Sequence, residues 1–592
     1  MEKNRNYYIA IVFSVLIVFI WQFFYMGPKM EAERQREAAQ QAELAKTKKA
    51  EQPAADIAAA PVPGTDGAAV AVINRDQALA EVPRVTIDTP ALTGSINLIG
   101  ARLDDLKLKN YRETIDKTSP IITLFSPGNT KDGYFVELGF TGAAGTVPNS
   151  KTQWTVEGNS KLTADTPVTL VFTNEAGSVF TRKIAVDKDY MFTIEDSVKN
   201  GSAQPLSLAP YGRVVRYNQP AHASAWVLHE GYIGVMDGSL KEETFAKATE
   251  EPFKFEATTA GWLGITDKYW AAAIVPQSGA AFTSNFSHVT KGQPLFQADY
   301  RTNAADTIAA GETKTFKTMV FAGAKQVPLV EAYAEKNGIE SFDKLIDWGW
   351  FYFFTKPMFY LMDWLFRYFG NFGLAILGTT VIVKLLFFPI ANRQYASMAK
   401  MKTLQPKMEE LKAKFGDDRM GLQTAMMQLY KEEKVNPLAG CWPILLQIPV
   451  FFALYKVIYV TIEMRHAPFF GWIQDLSAPD PTTLFNLFGL IPWDPPQALM
   501  LGVWPIIMGI TMFVQMRMNP TPPDPTQAMI FNWMPLIFTF MLGSFPAGLV
   551  IYWAWNNTLS VLQQGIIMKR HGVKIELFDN LKNLFKRKPS SA

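Results

Sequence analysis

The sequence predicts a membrane protein in two parts: an all-β sandwich domain followed by an all-α bundle of membrane-spanning helices. Three observations carry this reading. Apolar residues crowd the chain after residue 345, whereas residues 84 to 325 alternate apolar and polar with period two. A chain of 592 residues exceeds what one core supports, since single cores rarely grow past about 250–300 residues. The near-zero mean hydropathy and 19% charge therefore average two unlike regions.

The N-terminus reads MEKNR and then an apolar run over 7–26 that continues into Gly27-Pro28 without a small-residue cleavage site. A cleaved signal peptide has an apolar core of about 7–15 residues. About 20 residues, at ~1.5 Å each, instead cross the ~30 Å hydrocarbon layer. Residues 1–28 are read as an uncleaved anchor. Residues 29–83 are rich in Ala, Gln, Glu, Lys and Pro and cannot bury a core, so they are read as a flexible linker.

Residues 84–338 carry short runs such as Tyr134-Phe-Val-Glu-Leu-Gly-Phe, Val168-Thr-Leu-Val-Phe-Thr and Thr315-Phe-Lys-Thr-Met-Val-Phe, broken by Gly, Pro, Asn and Asp. Many short strands at this spacing predict a β-sandwich. No catalytic frame of Ser, His and Asp or of paired carboxylates stands out in it. Over 339–368, Asp347, Lys356, Asp363 and Arg367 interrupt an aromatic-rich run too often for a membrane span. An amphipathic helix lying in the interface fits better, with a packed core helix as the alternative.

Residues 369–570 hold apolar segments at about 370–391, 438–461, 498–516 and 528–567. The last is too long for one span and is split by Gly543-Ser-Phe-Pro546-Ala-Gly548 into 528–545 and 547–567. With the anchor this makes six spans. The intervening loop 392–437 carries many Lys and Arg, the loop 463–497 only Arg465, and the tail 571–592 is basic. The positive-inside rule puts the 392–437 loop and the tail in the cytoplasm. Parity then places the N-terminus there too and residues 27–368 on the far side.

Lys384 stands inside a predicted span, where a charge costs about 2.5–3.5 kcal/mol. It lies about seven residues, roughly 10 Å, from the cytoplasmic end, and a lysine stem spans only about 6 Å of that. Snorkelling thus relieves the cost only in part, and an inward, wetted position is preferred. Thr380, one turn back beside Thr379, shares that face. The last span adds Tyr552, Trp553, Asn556 and Ser560, and the third adds Gln447. Plain helix-to-helix hydrogen bonding is the bland account of these groups. A shared hydrophilic cavity open to the cytoplasm is the sharper one. Lys456, near the far end of its span, is read as snorkelling. The loop 392–437 reads as a helical hairpin, with Lys402, Lys407, Lys412 and Lys414 as either a solvated face or a contact for incoming chains.

Cys441 is the single cysteine and the five His are scattered, so no disulfide within the chain and no metal site is expected. No G-x-x-x-x-G-K-[ST] occurs, so neither a nucleotide nor any other cofactor is expected, and nothing points to nucleic-acid chemistry.

Several stretches resemble the bacterial YidC membrane protein insertases: Gln394-Tyr395-Ala-Ser-Met-Ala-Lys-Met, Leu404-Gln-Pro-Lys, Lys434-Val-Asn-Pro-Leu-Ala-Gly-Cys-Trp-Pro-Ile-Leu-Leu-Gln-Ile-Pro-Val-Phe and Phe545-Pro-Ala-Gly-Leu-Val-Ile-Tyr-Trp. The match is strong over 340–570 and looser in the β domain, for example at Gly261-Trp-Leu-Gly-Ile-Thr-Asp-Lys-Tyr-Trp. The resemblance implies five core helices round a cytoplasm-open groove in the bacterial inner membrane, with a periplasmic β domain. It implies as partners nascent membrane proteins, the ribosome, the Sec translocon and the phospholipid bilayer. Lys384 stands where relatives often have Arg, and Trp553 stands at a position where the resemblance admits Tyr. A transporter or channel would predict paired intramembrane charges, discontinuous helices and an internal repeat; the sequence shows one deep cation and no repeat. A membrane-anchored periplasmic binding protein or enzyme would need a ligand or catalytic constellation in 84–325.

Overall fold

The computed structural model describes residues 72–220, 228–289, 294–349, 351–416, 418–433, 442–491, 493, 501–519, 525–570 and 572. The predicted N-terminal anchor and most of the tail lie outside them.

The β domain is a sandwich of an 11-stranded and a 9-stranded sheet. In the first, Leu206–Arg216 lies between Tyr134–Gly142 and Leu295–Thr302. In the second, Met191–Lys199 lies between Val179–Val186 and Thr313–Ala324. The period-two pattern becomes burial here. Phe180, Ile184 and Val186 face inward from one strand and Phe192, Ile194 and Val198 from the next, meeting Phe140, Val214, Trp262 and Ile274 in the core.

Two charged members of these series are buried as well. Arg182 and Asp196 stand opposite each other in register and share hydrogen bonds of 2.7 and 3.0 Å. Glu137 accepts from Arg102 at 2.5 Å, from Arg213 at 3.1 Å and from the Tyr211 hydroxyl at 2.9 Å.

Twelve helices are described. A short α1 (Arg75–Ala80) sits within the stretch read as linker. That expectation needs correction from residue 73 onward, where Ile73 bridges to Thr130 and Arg75 pairs with Asp105 of the sandwich. One anchor is a backbone bridge and the other a single ion pair, so the scarcity of large apolar side chains concealed them. Helix α2 (Phe245–Ala248) is one turn. Helix α3 (Val327–Asn337) has proline in its first turn and ends on Gly338 with φ +62°, a backbone that glycine adopts without strain.

Helix α4 (Tyr352–Phe369) buries Thr355, Met358, Phe359, Met362 and Leu365 at helical spacing. Its opposite side exposes Tyr352, Phe353, Tyr360, Trp364 and Tyr368, so this helix is aromatic where a soluble one is polar. Its charges are paired along the flank: Lys356 with Glu331 and Asp343, and Arg367 with Asp363.

Helix α5 (Phe372–Leu386) begins under an Asn371 cap and packs on α4 through Phe366 stacked on Phe372. The expected span 370–391 does not run straight to its end. It stops at Leu386, and α6 (Phe388–Thr403) leaves at a 70° bend. Pro389 in the first turn of α6 supplies no N–H to continue the ladder. Only together do α5 and α6 have the length and apolarity to cross a membrane; no single described helix does.

The basic region is likewise two pieces before its turn. Helix α7 (Gln405–Phe415) starts anew because Pro406 breaks the run, and α8 (Arg419–Glu432) returns beside it from an Asp418 cap. Leu404 and Met408 bind that pair to Met426 and Leu429. Helices α9 (Trp442–Val460), α10 (Val503–Met518), α11 (Pro525–Leu542) and α12 (Ala547–Arg570) complete the bundle.

Candidate functional site

The bend at Phe387 places Lys384 in the last turn of α5, facing α12. Its ammonium donates to the Ser560 hydroxyl at 2.7 Å, and Ser560 donates in turn to the Asn556 carbonyl on its own helix at 2.7 Å. Tyr395, from α6 just beyond the bend, reaches the same hydroxyl. Among the described residues Lys384 faces no carboxylate. It is half-buried, a cation held by neutral oxygen at the junction of three helices.

Its neighbours divide the remaining polar groups. The Thr380 hydroxyl donates to the Ile376 carbonyl of its own helix at 2.8 Å, which consumes its proton locally. The Thr379 hydroxyl is buried without a partner among the described residues. On α12, Asn557 reaches Thr511 of α10 at 3.4 Å, and Gln564 donates to the Met518 carbonyl at 3.2 Å. These two fasten α12 to α10 and leave Ser560 for Lys384. Tyr552 is buried, and Trp553 stacks on Phe451 of α9 at 4.9 Å and 14°.

The structure thus brings Lys384 and the Asn556 backbone together through Ser560, with Thr380 one turn back on α5 and Tyr552 and Trp553 earlier on α12. The Gln447 side chain lies outside the described residues. Tyr395 is the site residue that sequence reasoning missed, and Ser560, grouped with the cavity, was not recognised as the direct partner of Lys384. Both carried a signal, Ser560 as a polar residue one turn beyond Asn556 and Tyr395 as part of a quoted motif, but neither pointed to Lys384.

On the hairpin, Lys407 pairs with Glu433 at 2.6 Å across the two arms. Lys412 and Lys414 are exposed and Lys402 half-exposed.

Lys456 is not a snorkelling residue. Its ammonium meets Asp347 at 2.6 Å with both side chains nearly buried. The segment before α4 folds back over α9 and delivers that carboxylate, which no local sequence pattern announces. Lys456 belongs to a seam between the β domain and the bundle. Glu463 accepts from the Val327 amide at the start of α3 at 2.9 Å. Arg465 donates to the Arg112 carbonyl at 2.6 Å and lies over the Trp270 ring at 5.3 Å. The ammonium of Lys268 sits 3.7 Å from the centre of the Tyr459 ring.

Residues 84–361 match the family described as YidC periplasmic domain, and residues 364–574 the family described as 60Kd inner membrane protein. The chain is 64% identical over 599 residues to the membrane protein insertase YidC of Rhizobium meliloti (strain 1021), covering 100% of both. It is 66% identical over 593 residues to that of Rhizobium etli (strain CIAT 652), covering 99% of both. A crystal structure of an active YidC insertase with its first transmembrane domain resolved superposes with a TM-score of 0.35 at 18% identity, over 84% of this chain and 94% of that one. Identity of this extent along the whole length leaves one conclusion: the chain belongs to the YidC family of membrane protein insertases.

Proposed function

We propose that this chain is a membrane protein insertase of the inner membrane and that Lys384 receives the hydrophilic part of its substrates. The observation that carries the reading is a cation held by a serine hydroxyl, with no carboxylate among the described residues to neutralise it. Such a charge keeps its field available for an acidic segment passing by. A substrate's polar tail enters from the cytoplasm into a wet groove lined by Lys384, Thr380, Gln447, Tyr552, Trp553 and Asn556. Its apolar segment moves along an apolar face of the third and fifth spans into lipid. The groove shortens the path over which backbone groups lack water, which is what forbids unpaired peptide in hydrocarbon. Burial of the substrate helix drives the step without nucleotide, so the protein acts as a chaperone-like insertase and not as an enzyme.

The finer topology belongs to the same proposal. Six spans place both termini in the cytoplasm, and α4 lies in the interface with its aromatic side toward lipid. Lys402, Lys407, Lys412 and Lys414 on the hairpin meet incoming chains, the ribosome or the Sec translocon. The β domain contributes partner contact rather than chemistry.

Purified protein in liposomes tests the reading. It predicts insertion of a small coat-like protein with an acidic translocated tail and no flux of small solutes. Solute flux without insertion would mean a transporter or channel. Neither activity would leave a membrane-anchored periplasmic binding protein.

A further inference from the structure

A cavity of about 890 Å³ lies where the β domain meets α4 and α9. Its size is that of a ligand pocket, about 300–1,000 Å³. One wall is the strand Ser239–Thr244, the outermost of the 9-stranded sheet; the others come from the segment before α4 and from α9. Leu240, Ile346, Phe351 and Phe452 make the lining mostly apolar.

The charges of the wall are largely spoken for. Asp343 pairs with Lys356 and Asp347 with Lys456. Two groups remain without a salt bridge among the described residues. One is Glu242, and the other is Lys344, whose ammonium donates only to the Gly238 carbonyl at 3.2 Å. Glu242 is accessible, yet surrounding protein pushes its carboxyl up to about 7, the Asp347 charge adding to the effect and the Lys456 and Lys325 charges opposing it more weakly. That combination describes a group facing an enclosed space rather than bulk solvent. Tyr352 lines the cavity and also begins the exposed aromatic row of α4, so the space is continuous with the face assigned to the membrane surface.

We propose that this cavity binds one phospholipid with a zwitterionic amine headgroup, its ammonium on Glu242, its phosphate on Lys344 and an acyl chain along Leu240, Ile346 and Phe452. The proposal rests on the placement of α4 at the membrane surface given above. One free carboxylate and one free ammonium beside an apolar wall match a zwitterionic amphiphile better than an anionic one.

The test uses the full chain, purified from nanodiscs of equal phosphatidylethanolamine and phosphatidylglycerol and read by native mass spectrometry. One phosphatidylethanolamine is expected to stay bound. Glu242→Gln should reduce its retention about tenfold, as loss of a charge-assisted contact implies. Leu240→Trp, which fills the space, should remove it. Should Glu242→Gln fail to fold, Lys344→Gln makes the same test. Equal retention of both lipids by the wild type overturns the proposal, as does unchanged retention in the folded charge variant. So does capture of a polypeptide instead of lipid by a photo-crosslinker at Leu240. Insertion of the coat-like protein, measured on the same preparations, separates failure of this proposal from failure of the insertase reading.

Discussion

Arg182 and Arg213 in the β domain and Lys384 in the bundle are all cations drawn into protein, but they are held in opposite ways. Each arginine meets a carboxylate, Asp196 in one case and Glu137 in the other. Lys384 meets a hydroxyl. A buried cation that meets a carboxylate across two strands is closed, even where one donor such as Arg213 Nε is left over, and it serves the fold by fixing the register of strands. A cation on a neutral partner gains less from its surroundings and keeps its capacity to bind an outside anion. On the proposed function, charge neutralised within the chain is scaffold and charge left open is where substrates are met.

Breaking the closed kind should have the largest effect on stability. Glu137→Ala strands two guanidinium groups and the Tyr211 hydroxyl, and should lower the unfolding free energy of the β domain by about 3–5 kcal/mol. Denaturant unfolding of the purified chain measures it. Burial opposes ionisation of Glu137, but Arg213 and Arg102 outweigh it and hold the carboxyl at about 2. A depressed acid stabilises above its ordinary value and loses that contribution as pH falls. The wild-type domain should therefore weaken from about pH 4.5 toward pH 2, while Glu137→Gln should lack that part of the slope. A flat wild-type curve across this window would remove the argument.

Breaking the open kind should cost function rather than fold. Lys384→Ala removes a single hydrogen bond to Ser560, about 1 kcal/mol of stability. Its effect on insertion should be larger, because a unit charge at about 4 Å is worth up to ~4 kcal/mol at intermediate dielectric and less where water enters. Lys384→Arg should preserve insertion of acidic-tailed substrates, Lys384→Ala should weaken it, and Lys384→Glu should be worst. Complementation of an insertase-depleted strain, with membrane levels checked, ranks them. Full activity of Lys384→Glu would sink the electrostatic role.

Asp347 and Lys456 sit between the two kinds, since their pair joins the β domain to α9. Asp347→Asn should destabilise the seam by about 2 kcal/mol, because it leaves Lys456 unpaired while keeping most backbone contacts. Adding Lys456→Met should recover much of that loss. Limited proteolysis reads both, and a double variant no better than the single one would show that the pair is not what holds the seam.

What the sequence disclosed follows the same division. Period-two runs such as Val179–Val186 announce the sandwich because burial alternates along each strand. Lys384 is visible because a charge in an apolar run is costly wherever it ends up. Ser560 and Tyr395 as its partners are not, since they lie on other helices and only the bend at Phe387 brings them together. Pro389 and Pro406 mark the two breaks, but the apolar run continues across Pro389 and the basic helical pattern across Pro406, which hid them. The Asp347–Lys456 pair was invisible for a third reason: its members are 109 residues apart and belong to segments read as different domains.

Glu463 inverts the case of Lys384, and it tests the comparison at its smallest scale. It is a buried acid whose partner is an amide, that of Val327 at the start of α3, and its second oxygen is buried without a partner among the described residues. Burial pushes its carboxyl up to about 7, against the opposing pull of the backbone amides. A raised acid binds more protons in the folded state than in the unfolded one between its ordinary value, near 4.5, and 7. Stability should therefore fall as pH rises through that window. Glu463→Gln keeps an oxygen for the Val327 amide and carries no charge to desolvate. It should match the wild type near pH 5 and exceed it near pH 8 by on the order of 1 kcal/mol, the helix N-terminus recovering part of the cost for the native carboxylate. Thermal unfolding at the two pH values decides the point. If the glutamine variant is the weaker one at pH 8, the carboxylate is a closed contact after all, and an unpaired buried charge in this protein is no guide to where its work is done.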